Sequence, residues 1–514
     1  MKRFWSHKLL LSISSGILLG LSFPPLDLSF LSIPAFILIF RLVHISDGLR
    51  QAAYYLYPGL VIWNLITTYW LMMADIYAGI AAILANSAVM TIPLCLAGYF
   101  EKKLSNKWMI VLLQTTSWVS YEYLHHLWDL SWPWLAIGNA WANYISLIQY
   151  ISVTGHLGIT LWVVLTAALL YRGIEFSDRS FTLSALFIFI LFPAVSFISF
   201  QVNEASEASG STLVTVVQPN HDSYQDFGGM SGIQEVMDSL FSETERHLEE
   251  NTELIIWPEN AIDKAIYPQG YEENRIADSA RSWNSPILTG TGYIKIYNEG
   301  EEPAYYRTGG IGRPYNIYNT ALFVDIYGKA LPYFKANLVP IVERVPFLPV
   351  LIKADVFDLV PWNEIPSFGK GSSHTLFSSA DYSTPGLVCY DSVYPTWIRP
   401  FVQNGATFIT IITNDGWWGD TSGHHQHFAY ARLRAIEFDR WVVRSANNGI
   451  SGIIAPDGTV KVKTGYWTRT GFSYEVPDLN TRTFYTRFGD WLAITCLFLS
   501  SGAFIFLLIK SRLS

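Results

Sequence analysis

Cys389 is the residue of this chain whose type and position most directly suggest chemistry. It follows the apolar run Gly386-Leu387-Val388, which predicts a short buried strand, and it precedes Tyr390 and Asp391. A thiol at the end of a buried strand can serve as a nucleophile. A free cysteine is also often a small buried hydrophobic side chain, so this stretch alone leaves both interpretations open.

Two further segments carry charged side chains just after apolar strands. Glu259 follows the strand predicted at 253–257, and Lys335 follows a second apolar segment and precedes Glu343. Taken singly, Glu259 could cap a helix and Lys335 could be a solvated surface charge. Taken together with Cys389, they supply a nucleophile, a carboxylate base and a fixed cation. Acyl transfer through a thioester needs those three roles.

The chemistry of the thiol sets requirements on its neighbours. Attack requires the thiolate, and a free thiol is mostly protonated at neutral pH. We therefore expect a neighbouring cation to lower the pKa of Cys389 and a carboxylate to take its proton. The other two cysteines, Cys95 and Cys496, lie in apolar runs. No CxxC pair or His–Cys cluster suggests a metal, and the polar region has no second cysteine for a disulfide.

The motifs around these residues resemble those of the apolipoprotein N-acyltransferase family, the integral-membrane branch of the nitrilase superfamily. The likeness extends over essentially the whole chain, including the apolar runs on either side of the polar region. The matching motifs are Trp257-Pro258-Glu259, Tyr333-Phe334-Lys335, Leu338-Val339-Pro340 with Glu343, Cys389-Tyr390-Asp391, Thr413 to Asp420, Gln426-His427-Phe428 and Arg444 to Gly449.

The resemblance implies a role for each matched side chain. Cys389 would be the acyl-accepting nucleophile, Glu259 its general base and Lys335 the group that stabilises the tetrahedral oxyanion. Glu343 and Tyr390 would support them. Asp391 stands where the family usually has Glu, so its carboxylate is one methylene shorter. Neither a metal nor an organic cofactor is implied.

The composition predicts a membrane protein with a large polar part. Of the 514 residues, 50% are hydrophobic and only 15% are charged, and the mean hydropathy is +0.24. That balance is typical of chains with several membrane spans. The net charge of −8 and the lack of a basic patch argue against nucleic acid as a partner.

Eight apolar runs are candidates for membrane-spanning helices, several of them near the roughly 20 residues that a crossing needs. They lie at 8–23, 28–44, 54–74, 77–99, 108–127, 156–171, 181–200 and 491–509. The first resembles a signal peptide but lacks a small-residue cleavage site, so we interpret it as a retained helix. Lys and Arg residues are absent from the loops at 24–27, 75–76 and 128–155. They lie instead before the first run and after the second, fourth, sixth and last runs. The positive-inside rule then puts both termini in the cytoplasm and 201–487 outside.

The polar part has the pattern of an α/β domain. Strands predicted between 212 and 455, one of them over 386–390, alternate with helices predicted at 230–249, 273–282, 395–404 and 424–440, and Asn447-Asn448-Gly449 indicates a hairpin. We expect long irregular connections near 263–275, 295–315 and 344–380. The resemblance implies a nitrilase-like α-β-β-α sandwich. The predicted domains are 1–200 (seven-helix transmembrane domain), 201–211 (linker), 212–487 (extracytoplasmic catalytic domain) and 488–514 (C-terminal transmembrane helix and tail).

The function that the resemblance implies is a two-step acyl transfer. A membrane phospholipid would donate a fatty acyl group to Cys389, and the N-terminal amine of the diacylglyceryl-cysteine of an apolipoprotein would accept it. The family's usual setting is the bacterial inner membrane, with the catalytic domain in the periplasm. One alternative is a membrane-tethered amidase that uses the same three residues, although one anchor would serve a small polar substrate. A transporter or receptor would need ionisable residues inside the spans, where few are found.

Overall fold

The fold divides into two compact units. The computed structural model describes residues 7–202, 207–303, 305–309, 311–353, 367–379 and 381–513. One unit, here the helical unit, comprises Met1–Glu204, Thr421–Phe438 and Thr483–Ser514. The other, here the sheet unit, comprises Ala205–Asp420 and Asp439–Arg482.

The first part of the helical unit consists of helices at the positions of the first seven predicted spans. Four helices of the described chain are long and apolar enough to cross a membrane, namely Ile76–Lys103, Leu157–Phe176, Arg179–Val202 and Trp491–Arg512. The helices in chain order are α1 (Lys8–Leu21), α2 (Ser32–His44), α3 (Leu49–Thr68), α4 (Leu71–Ala74), α5 (Ile76–Lys103), α6 (Lys107–His125), α7 (Ile151–Thr154), α8 (Leu157–Phe176) and α9 (Arg179–Val202).

Small residues allow two of these helices to approach closely. A Cβ atom on Gly16 of α1 would lie 2.1 Å from the Gly59 carbonyl oxygen of α3. The Gly59 amide donates to the Ser12 hydroxyl at 2.9 Å. Contacts of this kind replace the hydrophobic effect as the source of helix association in lipid.

The sheet unit is built from two mixed sheets and a short hairpin. The strands are β1 (Gly210–Gln218), β2 (Leu254–Ile256), β3 (Ile262–Ile266), β4 (Ile287–Ile296), β5 (Tyr315–Val324), β6 (Ala330–Phe334), β7 (Phe377–Ser378), β8 (Ser383–Thr384), β9 (Gly386–Val388), β10 (Ile409–Thr413), β11 (Val442–Ala446), β12 (Gly452–Ile454), β13 (Val460–Lys463) and β14 (Thr470–Asp478). The first sheet has the order β14-β1-β2-β4-β5-β6, with β3 paired to β4, and the second has the order β13-β12-β11-β10-β9.

The two sheets face each other, because β1 contacts β11 and β5 contacts β9. Strands β1, β2 and β4 run parallel, as do β9, β10 and β11, and antiparallel strands complete both sheets. The predicted hairpin at 447–449 joins β11 to its antiparallel neighbour β12, as the Asn-Asn-Gly sequence indicated.

Helices cover the first sheet with apolar side chains. The helices of this unit are α10 (Ile233–His247), α11 (Tyr271–Trp283), α12 (Leu348–Lys353) and α13 (Pro395–Gln403). Leu240 of α10 and Ile276 of α11 belong to one buried cluster with Ile255 of β2 and Leu322 of β5. This cluster forms the rigid base from which the loops after β2 and β6 emerge.

Two details of the predicted elements are wrong. The stretch 263–275 is not an irregular connection, because it contains most of β3 and the start of α11. The strand before Cys389 ends at Val388 instead of continuing to 390, since Cys389–Val393 form a 3₁₀ turn. Of the expected irregular stretch 344–380, residues 354–366 and 380 lie outside the described residues.

The remaining helices are α14 (Ser422–Phe438), α15 (Phe484–Phe488) and α16 (Trp491–Leu513). All three belong to the helical unit, although α14 lies within the sequence of the polar part. Gln426 of α14 has four partners there. Its side-chain oxygen accepts from Trp70 and Trp134 at 3.2 and 2.7 Å, and its amide nitrogen donates to the carbonyls of Pro24 and Thr67, both at 3.0 Å.

Candidate active site

The three candidate side chains each lie within three residues of the end of a strand in the sheet unit. Glu259 lies three residues after β2, Lys335 immediately after β6, and Cys389 immediately after β9. In α/β folds, loops beyond the carboxyl ends of strands are where ligands bind. Cys389 has φ +47°, a left-handed conformation that residues other than glycine adopt uncommonly.

Lys335 lies between two carboxylates. Its Nζ is 2.8 Å from Glu343 Oε1 and 3.3 Å from Glu259 Oε1, and the lysine is only 1% exposed. The Asn319 side chain donates to the same two oxygens, at 3.1 Å to Glu343 and 2.8 Å to Glu259. Both carboxylates therefore face the ammonium group, and Lys335 has no freedom to turn toward solvent.

Backbone amides hold the second oxygen of each carboxylate. The Asn414 N–H donates to Glu259 Oε2 at 2.9 Å, and the Val339 N–H donates to Glu343 Oε2 at 2.7 Å. Gly290 of β4 fits this arrangement, because a Cβ there would lie 2.4 Å from the Glu259 Cα. The position of Glu259 is thus fixed from the β4 side, by β5 and by the loop after β10.

The charges in this cluster shift three pKa values. Burial, together with the charge of Glu343, raises the pKa of Glu259 above its ordinary value, and Lys335 opposes the shift. Burial favours the neutral amine of Lys335, but the two carboxylates outweigh it and raise the pKa of Lys335 well above its ordinary value. Burial and the charge of Glu259 raise the pKa of the Cys389 thiol, with Lys335 acting in the opposite direction.

Lys335 acts to lower the pKa of Cys389, as expected, but burial and the charge of Glu259 outweigh it. The surroundings of Cys389 therefore do not favour a resting thiolate. The arrangement instead suits removal of the thiol proton by a carboxylate during attack, and Glu259 has the raised pKa that such a base requires.

Asp391 joins the segment after β6 to the turn that carries Cys389. Its Oδ1 accepts from the Asn337 backbone and side chain at 2.8 and 2.9 Å, and its Oδ2 accepts from the Tyr333 hydroxyl at 2.8 Å. Burial raises the pKa of Asp391 to about 6, against the opposing effect of these hydrogen bonds. Because Tyr333 and Asn337 flank Lys335, Asp391 fixes the lysine segment relative to the thiol.

A buried ion pair supports the loop after β10. Arg444 Nη2 lies 2.6 Å from Asp415 Oδ2, and neither side chain is exposed. The Thr413 hydroxyl donates to the other oxygen of Asp415 at 2.7 Å, and Arg444 Nε donates to the Ile450 carbonyl at 3.0 Å. Asp415 directly follows Asn414, so this pair positions the amide that donates to Glu259.

Known proteins resemble the chain over both units. Residues 15–169 match the family model for the apolipoprotein N-acyltransferase N-terminal domain, and residues 213–482 match that for carbon-nitrogen hydrolase. An apolipoprotein N-acyltransferase from Chlorobaculum tepidum is 30% identical over 97% of this chain and 96% of its own length. The chain belongs to the apolipoprotein N-acyltransferase family.

A second relative agrees with this membership. An apolipoprotein N-acyltransferase from Methylococcus capsulatus is 28% identical over 95% of this chain and 93% of its own length. A solved nitrilase-superfamily structure from Saccharomyces cerevisiae covers 53% of this chain and 93% of its own, with 16% identity and a TM-score of 0.39. Membership of the family and the carbon-nitrogen hydrolase match make the chain an enzyme, as its motifs predicted, and its sheet unit is a nitrilase-like domain with mixed sheets.

Some site residues of this apolipoprotein N-acyltransferase family member were not predicted individually. Asn319, Asn414 and Arg444 had no assigned role, although the last two lie within quoted motifs. Asn319 carries a signal that could have been noticed, since it is a polar side chain inside a strand and is only 3% exposed. Tyr390, predicted as a supporting residue, is buried with its ring centroid 5.1 Å from that of Tyr394.

Proposed function

We propose that this enzyme transfers a fatty acyl group from a membrane phospholipid to the N-terminal amine of a diacylglyceryl-cysteine on an apolipoprotein. Cys389 is the nucleophile, Glu259 the general base and Lys335 the oxyanion-stabilising cation. Glu343 holds Lys335, and Asp391 and Tyr390 support the turn that carries the thiol. The family's name supports the apolipoprotein acceptor. The phospholipid donor is proposed from the resemblance of the motifs to those of the family.

In the first step the Cys389 sulfur attacks the ester carbonyl carbon of the phospholipid while Glu259 accepts the thiol proton. The Lys335 ammonium stabilises the negative oxygen of the tetrahedral intermediate. The intermediate collapses to a thioester, and the lysophospholipid alkoxide leaves with the proton from Glu259. Each bond that forms is matched by one that breaks, so no further reactant is required.

In the second step the acceptor amine attacks the thioester carbon and Glu259 takes the amine proton. The Cys389 thiolate leaves and receives that proton, which restores the resting thiol. Lys335 stabilises the oxyanion again. The raised pKa of Glu259 suits both directions of proton transfer, because the group must accept and release a proton in each step.

The contact of Lys335 with Glu259 beside Cys389 is the observation that most supports this proposal. A surface lysine would be solvated and mobile, whereas this one is buried and paired with both carboxylates. A preorganised cation in a buried site stabilises developing negative charge far better than one in water.

We expect intact-protein mass spectrometry to detect a fatty-acyl adduct after the enzyme is mixed with phospholipid and no acceptor. Hydroxylamine should remove the adduct, since it cleaves thioesters, and the Cys389→Ala variant should show none. A wild-type enzyme that forms no adduct but releases ammonia from small amides would support the amidase alternative and contradict the proposal.

Glu343→Gln should move the acid limb of the rate profile for thioester formation to lower pH. The rate falls as pH drops through the pKa of Glu259, because a protonated Glu259 cannot accept the thiol proton. The charge of Glu343 contributes to the raised pKa of Glu259, and its removal also leaves Lys335 to pair with Glu259 alone. The exposed Glu245→Gln change is the matched control. An acid limb that stays in place or moves to higher pH would contradict the assignment of Glu259 as base.

The membrane arrangement is part of the proposal. Eight helices would cross the inner membrane, with both termini cytoplasmic and the catalytic domain at 212–487 in the periplasm. The domains at 1–200 and 488–514 and the linker at 201–211 complete this division. The four long apolar helices and the distribution of Lys and Arg support it. In the Cys389→Ala background, which removes the periplasmic thiol, a membrane-impermeant maleimide should label a Lys103→Cys variant only after the membrane is permeabilised.

A further inference from the structure

A small cavity in the helical unit has no role in the acyl transfer described above. Its lining includes Met90 of α5, Tyr121, Glu122 and His125 of α6, and Trp132 and Leu135 from the segment that follows α6. The cavity has a volume of about 10 Å³, counted as the space open to the centre of a water molecule. That space holds one oxygen atom of a ligand or of water.

The cavity wall contains a buried donor without an acceptor. The Trp128 indole N–H donates to His125 Nδ1 at 2.7 Å. An indole nitrogen can only donate, so Nδ1 must accept and the neutral imidazole carries its proton on Nε2. His125 is 6% exposed, and within the described residues its Nε2 has no hydrogen-bond partner.

A second polar atom of the cavity wall, the Tyr121 hydroxyl, is also buried without a hydrogen-bond partner among the described residues. The Tyr121 and His125 rings stack with centroids 5.3 Å apart and an interplanar angle of 25°, which holds both side chains in place. An unpaired buried donor costs stability, so such groups usually mark a place where a ligand or water binds.

The neighbouring Glu122 carboxylate does not accept a hydrogen bond from either of these two groups. Glu122 accepts from the Trp118 indole at 2.7 Å, from the Ile137 amide at 3.0 Å and from the Thr160 hydroxyl at 2.6 Å. Its oxygens are thus already engaged by three neutral donors. The two groups without a partner, the His125 Nε2–H and the Tyr121 hydroxyl, can both donate, so they suit a hydrogen-bond-accepting oxygen.

The position along α6 indicates which oxygen is available. His125 is the last residue of α6, and an aromatic-rich segment with Trp128, Trp132 and Trp134 follows it. Tryptophan is enriched where the hydrocarbon core of a bilayer meets the headgroups. Ester carbonyls of glycerolipids lie at that same depth. Exposed Leu124 and Leu127 flank His125 in the sequence, as expected for a helix end in contact with lipid.

We propose that this cavity binds one ester carbonyl oxygen of a diacyl glycerolipid, which accepts hydrogen bonds from His125 Nε2–H and the Tyr121 hydroxyl. The site rests on the membrane placement included in the proposed function, but not on the thioester chemistry. It would hold a lipid at the helical unit independently of Cys389.

The test compares two lipids on the full chain in the Cys389→Ala background, where no thioester can form. Dioleoyl phosphatidylcholine and its dialkyl ether analogue, which lacks the carbonyl oxygens, compete for the purified protein, and native mass spectrometry measures the retained ratio. We expect the diester to be favoured by about five-fold, the effect of one buried neutral hydrogen bond. Tyr121→Phe, which removes a single oxygen atom, and His125→Phe should each reduce this preference.

The matched control is Tyr123→Phe on the same helix, which should keep the preference because Tyr123 is outside the cavity lining. Equal retention of the two lipids by the parent protein would overturn the proposal and leave a water molecule as the occupant. An unchanged preference in both Tyr121→Phe and His125→Phe would overturn it as well. Absence of the acyl adduct on wild-type enzyme, by contrast, would contradict the proposed function without affecting this result.

Discussion

Lys335→Met should reduce the rate of thioester formation by about 1000-fold or more, the combined scale of losing an oxyanion donor and weakening a general base. The variant leaves Glu259 and Glu343 buried together without their cation. Two neighbouring carboxylates with no cation between them favour protonation of one of the two, so Glu259 is less able to accept the thiol proton. Time-resolved intact-protein mass spectrometry of the acyl adduct measures the rate directly.

The control for Lys335→Met is Lys461→Met, which removes an exposed lysine from β13 of the same unit. That variant should form the thioester at the wild-type rate. The comparison is made on folded protein, selected by its elution volume and tryptophan fluorescence. If folded Lys335→Met retained a rate within about ten-fold of wild type, the cation could not be the main oxyanion stabiliser.

Arg444→Met should produce the largest loss of stability in the sheet unit, about 3–5 kcal/mol in the free energy of unfolding. Asp415 would keep a buried negative charge that has lost its ion-pair partner. The Asn414 amide that donates to Glu259 lies next to this charge, so acylation should slow in the fraction that remains folded. Thermal unfolding followed by tryptophan fluorescence reports the first effect.

Two comparisons separate charge burial from simple loss of a side chain. The double variant Asp415→Asn with Arg444→Met leaves no charge behind and should recover part of the stability. Arg281→Met breaks an exposed ion pair with Asp278, whose side chains are 53% and 69% exposed, and should change stability by less than about 1 kcal/mol. A loss for Arg444→Met no larger than that for Arg281→Met would contradict the role of the buried pair.

The parts of the fold that local patterns specify were predictable from the sequence. Glu259 and Cys389 each follow a run of apolar residues, so their places at strand ends could be inferred without any long-range information. Strand β13 was not predicted, although its four residues alternate valine with lysine as a half-buried strand does; so short a run gives a weak signal. Strand β14 pairs with β1, more than 250 residues earlier, and no local signal encodes such a partner.

The site itself was predictable only in outline. Matching motifs identified the thiol, the carboxylate and the cation, but Asn319 is 60 residues from Glu259 and joins it only through the pairing of distant strands. The direction of the shift in the Cys389 pKa could not be predicted from the motifs either. Lys335 lowers the pKa of Cys389 as expected, but burial and the charge of Glu259 outweigh it, and both depend on distances that a sequence does not contain.

The shorter side chain of Asp391 fits the space that the structure provides. Its two oxygens already reach Tyr333 and Asn337 at ordinary hydrogen-bond lengths, and the side chain is fully buried. An added methylene would have to displace close-packed neighbours, at a typical cost of about 1–3 kcal/mol. The departure from the family's usual Glu is therefore matched by the local geometry around the turn.

Helix α14 has a practical consequence for anyone who wishes to produce the nitrilase-like part alone. A contiguous fragment from 212 to 482 includes Ser422–Phe438 but omits all four groups that hydrogen-bond Gln426. It also omits the His156 amide that donates to Glu437 at 2.7 Å. Such a fragment would expose a helix whose residues are buried on nearly every side, a hazard for solubility. We therefore expect truncation at the termini alone to give a poorly soluble fragment, and expect excision of the helix or redesign of its surface to improve solubility.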